Sequence, residues 1–384
     1  MPNLFLLTEE QKDLQRMVRD FVKAEVIPHA AEWDKASEFP IGVYRQAVEM
    51  GLTTLTIPES LGGAGMGRRE HIIVAEELGY GDAGFAIGVG AASLGIEPIL
   101  LGGTDAQKAQ AVDVLLKGGL AAFGLTEPEA GSNAAALRTT AVKDGDEYIL
   151  NGSKCFITNG GLADLYTIFA VTDKEKGTKG ISCFMVERDR KGLSVGKEED
   201  KMGIRASNTA SVMLDDVRIP ADHLVGSEGM GYRLAMSTLD RSRPNGNSVA
   251  VGIMQRALDL SVQYAMERKT FGKPIITNQA IQFMLADMEM LTQASRSMVW
   301  AAATLLDNGI VDSRFGSCTK AFSGDAAMKV TTDAVQIFGG YGYSREYPVE
   351  KLMRDAKIFQ IFEGTNQIQR MVIAGTISKE AARA

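Results

Sequence analysis

The sequence predicts a mainly α-helical protein interrupted by one central β domain, an antiparallel barrel or sandwich. Three features predict it. Residues 1–120 and 232–384 carry apolar residues at helical spacing, whereas 121–231 carry short apolar runs separated by Gly, Asp and Lys. No helical pattern of ten or more residues alternates with those runs, as a doubly wound sheet would require. At 384 residues, 45% of them hydrophobic, the chain has material for two or three separate cores. The zones read as an N-terminal helical domain over 1–120, a middle β domain over 121–231 and a C-terminal helical domain over 232–384.

In the first zone, Thr8 and Gln11 have the spacing of a capping box. Leu14, Met17, Val18, Phe21 and Val22 then recur as one helical face, and Pro28 ends it. Pro58 with Gly62, Gly63 and Gly65 marks an irregular loop. In the second zone, "TTAV-KDGD-EYILNG" reads as two strands around a turn. "LYTIFAVT" (165–172), "ISCFMVE" (181–187) and "SVMLDDVRI" (211–219) read as further strands. In the third zone, Ile281, Met284, Leu285, Met288 and Leu291 form one stripe of a long helix. A helix rich in small residues follows, and "FGGYGY" (338–343) interrupts it. Met-rich helix faces read as core rather than ligand contacts.

Bulk properties exclude several classes. A net charge of −7 and the lack of a long basic run argue against nucleic-acid binding. Cys155, Cys183 and Cys318 are too few and scattered for a disulfide framework or a Cys-rich metal site. His29, His71 and His223 are not at metal-ligand spacing, so no metal is expected. Neither a Gly-x-Ser-x-Gly elbow nor a Walker A loop occurs. The opening residues lack a basic region followed by a long apolar stretch, and no run of eighteen apolar residues appears. The expectation is a cytoplasmic protein without stable membrane insertion. An enzyme of this kind would move protons with a carboxylate and use a cofactor for harder chemistry.

Five segments carry candidate chemistry. "FGLTEPEAGSN" (123–133) packs Thr126 and Ser132 into glycine-containing bends, which present N–H groups and hydroxyls to an anion or polar ring edge. "NGSKCFITNGG" (151–161) reads as a strand bracketed by Asn-Gly turns, with Phe156 and Thr158 on one face, suited to a planar heterocycle. "LDRSRP" (239–244) sets Asp240 three residues before Arg243, as a surface pair or a ligand site. "ERKTFGKPI" (267–275) is a basic, glycine-containing turn that suits pyrophosphate. "IFEGTNQIQR" (361–370) puts Glu363 in an apolar run, although a buried carboxylate is costly.

Together with "MGIRASNT", "QIFGGYGY" and "YPVEKLMRDAKI", these segments resemble the acyl-CoA dehydrogenases almost end to end, in order and at family spacing. The resemblance implies an α-helical domain, a middle β-barrel and a C-terminal four-helix domain. It implies one FAD per subunit of a homotetramer and α,β-dehydrogenation of an acyl-CoA thioester. Electrons then pass to an electron-transfer flavoprotein. Glu363 matches the base that removes the α-proton while flavin N5 takes hydride from Cβ, and Gly364 lets the thioester approach the backbone. For FAD the match points to Phe123, Leu125, Thr126, Ser132, Phe156 and Thr158, with Thr365 and Gln367. Arg268, Thr270, Phe271, Gln336, Gly339 and Gly340 would come from a neighbouring subunit, and Gln279 is a further cofactor match. For CoA it points to Ser132, Asp240 and Arg243.

Departures from the pattern are informative. Some relatives place the base two residues after the match to Asp240; here that position is Ser242, which favours Glu363. Phe156 stands where many relatives have Trp, and Glu129 and Asn133 replace the usual Gly and Asp. By the resemblance, "AIGVGAASLGIEP" (86–98) forms part of the acyl-pocket floor, and its small residues suggest a short, branched, cyclic or substituted acyl group. Glu97 reads as a solvated helix-end residue, a second acid–base group or a selector for a polar acyl tail. The alternative functions are an oxygen-using acyl-CoA oxidase, for which the chain is short, and a flavin-free helical interaction protein.

Overall fold

Thr8 opens the first helix as its spacing requires: its hydroxyl accepts from the Gln11 N–H while the Gln11 side chain accepts from the Thr8 N–H. The computed structural model describes residues 7–382; the opening residues that bear on a leader, 1–6, lie outside them. Six α-helices make the first zone: α1 (Glu9–Phe21), α2 (Ala30–Ala36), α3 (Ile41–Glu49), α4 (Arg68–Gly81), α5 (Ala83–Gly102) and α6 (Asp105–Leu116). Asp82 caps α5 by accepting from the Phe85 N–H at 2.7 Å. α5 is long and apolar enough to cross a membrane, but most of it is buried against the rest of the fold.

Seven strands follow: β1 (Ala121–Gly124), β2 (Thr140–Asp144), β3 (Glu147–Thr158), β4 (Leu165–Val171), β5 (Ile181–Glu187), β6 (Leu193–Glu198) and β7 (Thr209–Pro220). They form one curled sheet in the order β1-β4-β2-β3-β7-β6, with β5 on β4. Most pairs are antiparallel, as expected, but β1 and the end of β2 run parallel to β4. The chain enters β1 from a helix and reaches β4 only after the β2–β3 hairpin, so no tight turn forces those partners to reverse. The sheet keeps its own apolar core, including Tyr148, Ile168 and Phe184.

The last zone holds α7 (Gly231–Glu267), the small hairpin β8 (Lys269–Thr270) and β9 (Lys273–Pro274), and the long helices α8 (Gln279–Asp307) and α9 (Ser313–Phe338). A 3₁₀ turn at Gly339–Tyr343 interrupts the path to α10 (Val349–Ala356) and α11 (Asn366–Ala381). Met288 of the expected stripe is fully buried, and Ile281, Met284, Leu285 and Leu291 pack at its margins. α7 is the central element, packed on α4, α5, α8 and α9.

Buried ions tie the zones together. Lys351 of α10 pairs with Asp82 and Asp355, each at 2.6 Å, and Asp355 accepts the Ile204 N–H at 2.5 Å. Burial alone would lower the Lys351 pKa, but the two carboxylates hold it raised.

One sequence reading is corrected here. Asn151-Gly152 is not a turn but lies inside β3, at a shift in register against β7. Asn151 Nδ2 donates to Asp216 Oδ1 at 2.9 Å, and its Oδ1 accepts the Asp216 N–H at 2.8 Å. A Cβ at residue 152 would stand 2.5 Å from Thr139 Oγ1, so Gly152 admits β3 to its neighbour without ending it.

Candidate active site

Glu363 lies in the short link between the 3₁₀ turn Lys357–Gln360 and α11. Its backbone is left-handed at φ 53°, and Gly364 follows at φ 88°. A non-glycine residue pays a steric cost there, so the link must be held by its surroundings. Gln369 Nε2 donates to the Glu363 and Gly364 carbonyls at 3.0 and 3.2 Å. Thr365 caps α11 by accepting from the Ile368 N–H, and buried Asn366 donates to Ala321 O and Asp325.

The link turns the Glu363 side chain toward α7. Although the residue as a whole is partly exposed, its carboxylate is enclosed, and Oε1 accepts from Ser242 Oγ at 3.0 Å. Burial raises its pKa above the ordinary carboxylate value; the Ser242 hydrogen bond and the charges of Arg243 and Lys320 pull it back without cancelling the shift. A base poised in this way can take a weakly acidic proton. Thus Ser242, at the position where some relatives carry the base, donates to Glu363.

Asp240 and Arg243 are not a surface pair. Arg243 is buried and donates to Asp240, which also accepts from Ser313. Arg243 Nε is buried with no hydrogen-bond partner, so the guanidinium retains a donor for an incoming polar group. Ser132 lies exposed in the loop between β1 and β2, away from any strand.

A second cluster forms where that loop meets β3. The Cys155 N–H donates to Thr126 O at 3.0 Å. The fully buried Lys154 ammonium donates to Leu125 O, Glu127 Oε1 and Phe169 O at 3.2, 2.6 and 2.7 Å. Burial lowers the Lys154 pKa to about 8 despite the Glu127 charge. Burial pushes Glu127 up, but the ammonium outweighs it and holds the carboxyl below its ordinary value. At the register shift between Lys154 and Ile157, Phe156 adopts φ 56° and points outward. A bulge of this kind re-aims one side chain out of the ladder. Phe156 and Thr158 are both more accessible than Ile157 between them, while Phe123 packs on Phe169. Glu129, unusual for this loop, pairs with Arg138.

The third cluster lies at the far end of the C-terminal helices. Arg268, Thr270, Gly339 and Gly340 line a cavity of about 600 Å³ with Tyr264, Phe338 and Tyr341. A Cβ at Gly339 or Gly340 would meet nothing within 4 Å, so bare backbone faces open space. The Arg268 guanidinium sits over the Tyr341 ring at 5.4 Å. Phe271 is fully exposed at the β8–β9 turn with φ 50°, an unfavourable place for an aromatic unless something covers it. Gln279 and Gln336 are exposed nearby in sequence but do not line the cavity. Nor does any residue of the first loop or β3.

The residues present fit FAD in two halves. An outward aromatic, a strand-end hydroxyl and a braced loop suit a ring system, and a cationic, glycine-floored cavity suits a dinucleotide's phosphates. Gln367 is exposed on the first turn of α11, beside the link that holds Glu363. Among the described residues no group of three or more His, Cys, Asp or Glu could hold a metal ion.

Sequence reasoning missed Lys320 and Asn366, which bond each other between α9 and α11, and Gln369, which reaches back to the link before its own helix. It also left Glu97 open. Glu97 is buried within α5 and pairs with Arg68 of α4 at 2.7 Å, so it is neither solvated nor free.

Family models for the acyl-CoA dehydrogenase N-terminal, middle and C-terminal domains match residues 8–119, 122–217 and 229–378. The chain is 45% identical over 374 residues to the probable acyl-CoA dehydrogenase FadE25 of Mycobacterium tuberculosis (strain ATCC 25618 / H37Rv), covering 97% of this chain and 96% of that one. Among solved structures, the butyryl-CoA dehydrogenase of Megasphaera elsdenii superposes with a TM-score of 0.94 at 44% identity, covering 97% and 98%. A chain from the structural study of the electron transferring flavoprotein of Acidaminococcus fermentans gives 0.95 at 44% identity, covering 97% and 99%.

Proposed function

The chain belongs to the acyl-CoA dehydrogenase family, whose members are flavoprotein oxidoreductases, and on that premise we propose that it converts an acyl-CoA thioester to the trans-2-enoyl-CoA. The carrying observation is the Glu363 carboxylate, enclosed, raised in pKa and set beside Gly364. Glu363 takes the α-proton. Its left-handed backbone offers its own N–H to the thioester oxygen, where negative charge develops as the proton leaves. Ser242 orients the carboxylate, and Arg243 binds the CoA portion with its spare donor. Phe123, Leu125, Thr126, Ser132, Phe156 and Thr158 hold the ring end of FAD, with Thr365 and Gln367. Arg268, Thr270, Phe271, Gln279, Gln336, Gly339 and Gly340 hold the other end from a neighbouring subunit of a homotetramer. Bound FAD supplies the acceptor for the hydride that leaves Cβ. An electron-transfer flavoprotein is the proposed electron acceptor, a reading supported by the likeness to the Acidaminococcus chain.

The test is anaerobic flavin reduction by saturated acyl-CoAs. Glu363→Gln is expected to keep FAD and to lose reduction by about a thousandfold or more, because the proton-transfer step loses its base. In the wild type, reduction should fall as pH drops through the raised Glu363 pKa and recover above it, since only the ionised carboxylate is a base. Fast reduction retained in the variant would move the base elsewhere.

A further inference from the structure

The space beside the base is shaped by two glycines on facing helices. At Gly246 of α7, a Cβ would stand 3.2 Å from Glu363 Oε2 and 3.7 Å from its Cδ. A side chain at this position would press on the carboxylate, and glycine keeps that side of it clear. At Gly90 of α5, a Cβ would stand 3.2 Å from Asn245 Nδ2. Gly90 therefore lets the Asn245 amide reach the α5 wall, one residue from the glycine that abuts the base.

Asn245 has no evident structural employment there. Its Oδ1 is buried and has no hydrogen-bond partner. An orphaned buried acceptor is costly, and a purely hydrocarbon acyl chain would leave that cost in place. The polar groups nearby on α5 are already committed. The Ser93 hydroxyl donates to Thr53 O at 2.8 Å. Two turns beyond Gly90 on the same face, Glu97 is neutralised by Arg68 at 2.7 Å.

We infer that Asn245 is a specificity-determining residue that accepts a hydrogen bond from a neutral hydroxyl carried on the acyl group. The inference rests on the proposed acyl-CoA reaction and names the kind of acyl group it takes. A hydroxyl supplies the donor that Oδ1 lacks, and it can also accept from Nδ2. A ketone offers no donor. A carboxylate would meet an acceptor oxygen, and Arg68 of α4, which reaches α5, is already held by Glu97.

The experiment compares the rate constant of anaerobic flavin reduction divided by the substrate Kd, for the FAD-loaded enzyme with matched pairs. Suitable pairs are cyclohexanecarbonyl-CoA with 4-hydroxycyclohexanecarbonyl-CoA, and pentanoyl-CoA with 4-hydroxypentanoyl-CoA. The wild type is expected to prefer the hydroxylated member of at least one pair by about tenfold or more. Asn245→Leu should abolish or reverse that preference, and Asn245→Asp, which keeps an acceptor, should retain it. FAD content and melting temperature report whether each variant folds. Equal rates within every wild-type pair would overturn the inference alone, and so would an Asn245→Leu that slows both members in equal proportion. A flavin that no thioester reduces would overturn the proposed reaction, and the inference with it.

Discussion

Glu363 is held in a backbone conformation that glutamate disfavours, with its charge in a place that burial disfavours. Both costs have visible sources of compensation. Gln369 fastens the carbonyls of the link, and Ser242 stabilises the ionised carboxylate. The Ser242 hydrogen bond is directed to the charged form, so its removal raises the Glu363 pKa further. Ser242→Ala is therefore expected to shift the acid limb of flavin reduction to higher pH. Below that limb the rate should fall by roughly threefold to tenfold. Stopped-flow pH profiles of the two proteins decide it; an unchanged or lowered limb would show that Ser242 does not tune the base.

At the scale of the element, β3 combines a buried cation with an outward aromatic two residues later. Lys154 reaches inward to Glu127 and two carbonyls, and the bulge that follows turns Phe156 to the surface. One strand thus braces the loop after β1 and exposes an aromatic face. Glu127 is further held by the Arg138 and Thr139 N–H groups at 2.6 and 3.1 Å. Lys154→Met leaves that carboxylate buried without its cation, which costs about 3–5 kcal/mol. The expected outcome is a lower melting temperature and partial loss of FAD on gel filtration. Adding Glu127→Gln should recover part of the loss, because the orphaned charge is then gone. A Lys154→Met protein that melts and binds FAD like the wild type would refute this account of the loop.

At the scale of the whole molecule, internal ties and exposed apolar groups point in different directions. Asp82, Ile204, Lys351 and Asp355 join the three zones through one buried cation. Phe271 and Tyr343 stand almost fully exposed, and an apolar groove of about 530 Å³ runs between α8, α9 and α11. The cavity lined by Arg268, Gly339 and Gly340 takes no residue from the Phe156 face. These features support a cofactor site shared between subunits. Sedimentation velocity is expected to give a tetramer, and Phe271→Asp to lower FAD content while the Glu363 environment is untouched. A monomer that keeps its FAD would sink the shared-site reading.

The mainly helical fold with its central sheet, the Thr8 cap, the β2–β3 hairpin and the long helix stripe were legible in the sequence, because each depends on residues close together in the chain. So was the oddness of Glu363, since a carboxylate in an apolar run is a local feature. What the tertiary structure alone decided lies between distant residues. Ser242 and Glu363 are 121 positions apart, and their hydrogen bond exists only because α7 packs against the link before α11. The same packing brings Asn245 to Gly90, and the approach of α4 to α5 turns Glu97 from a free acid into half of an ion pair. Sheet pairing made Asn151-Gly152 a register shift instead of a turn, through a side chain on β7. Local spacing encodes periodicity and caps. The angle and depth at which two elements meet depend on all the side chains between them, and no short stretch of sequence contains that information.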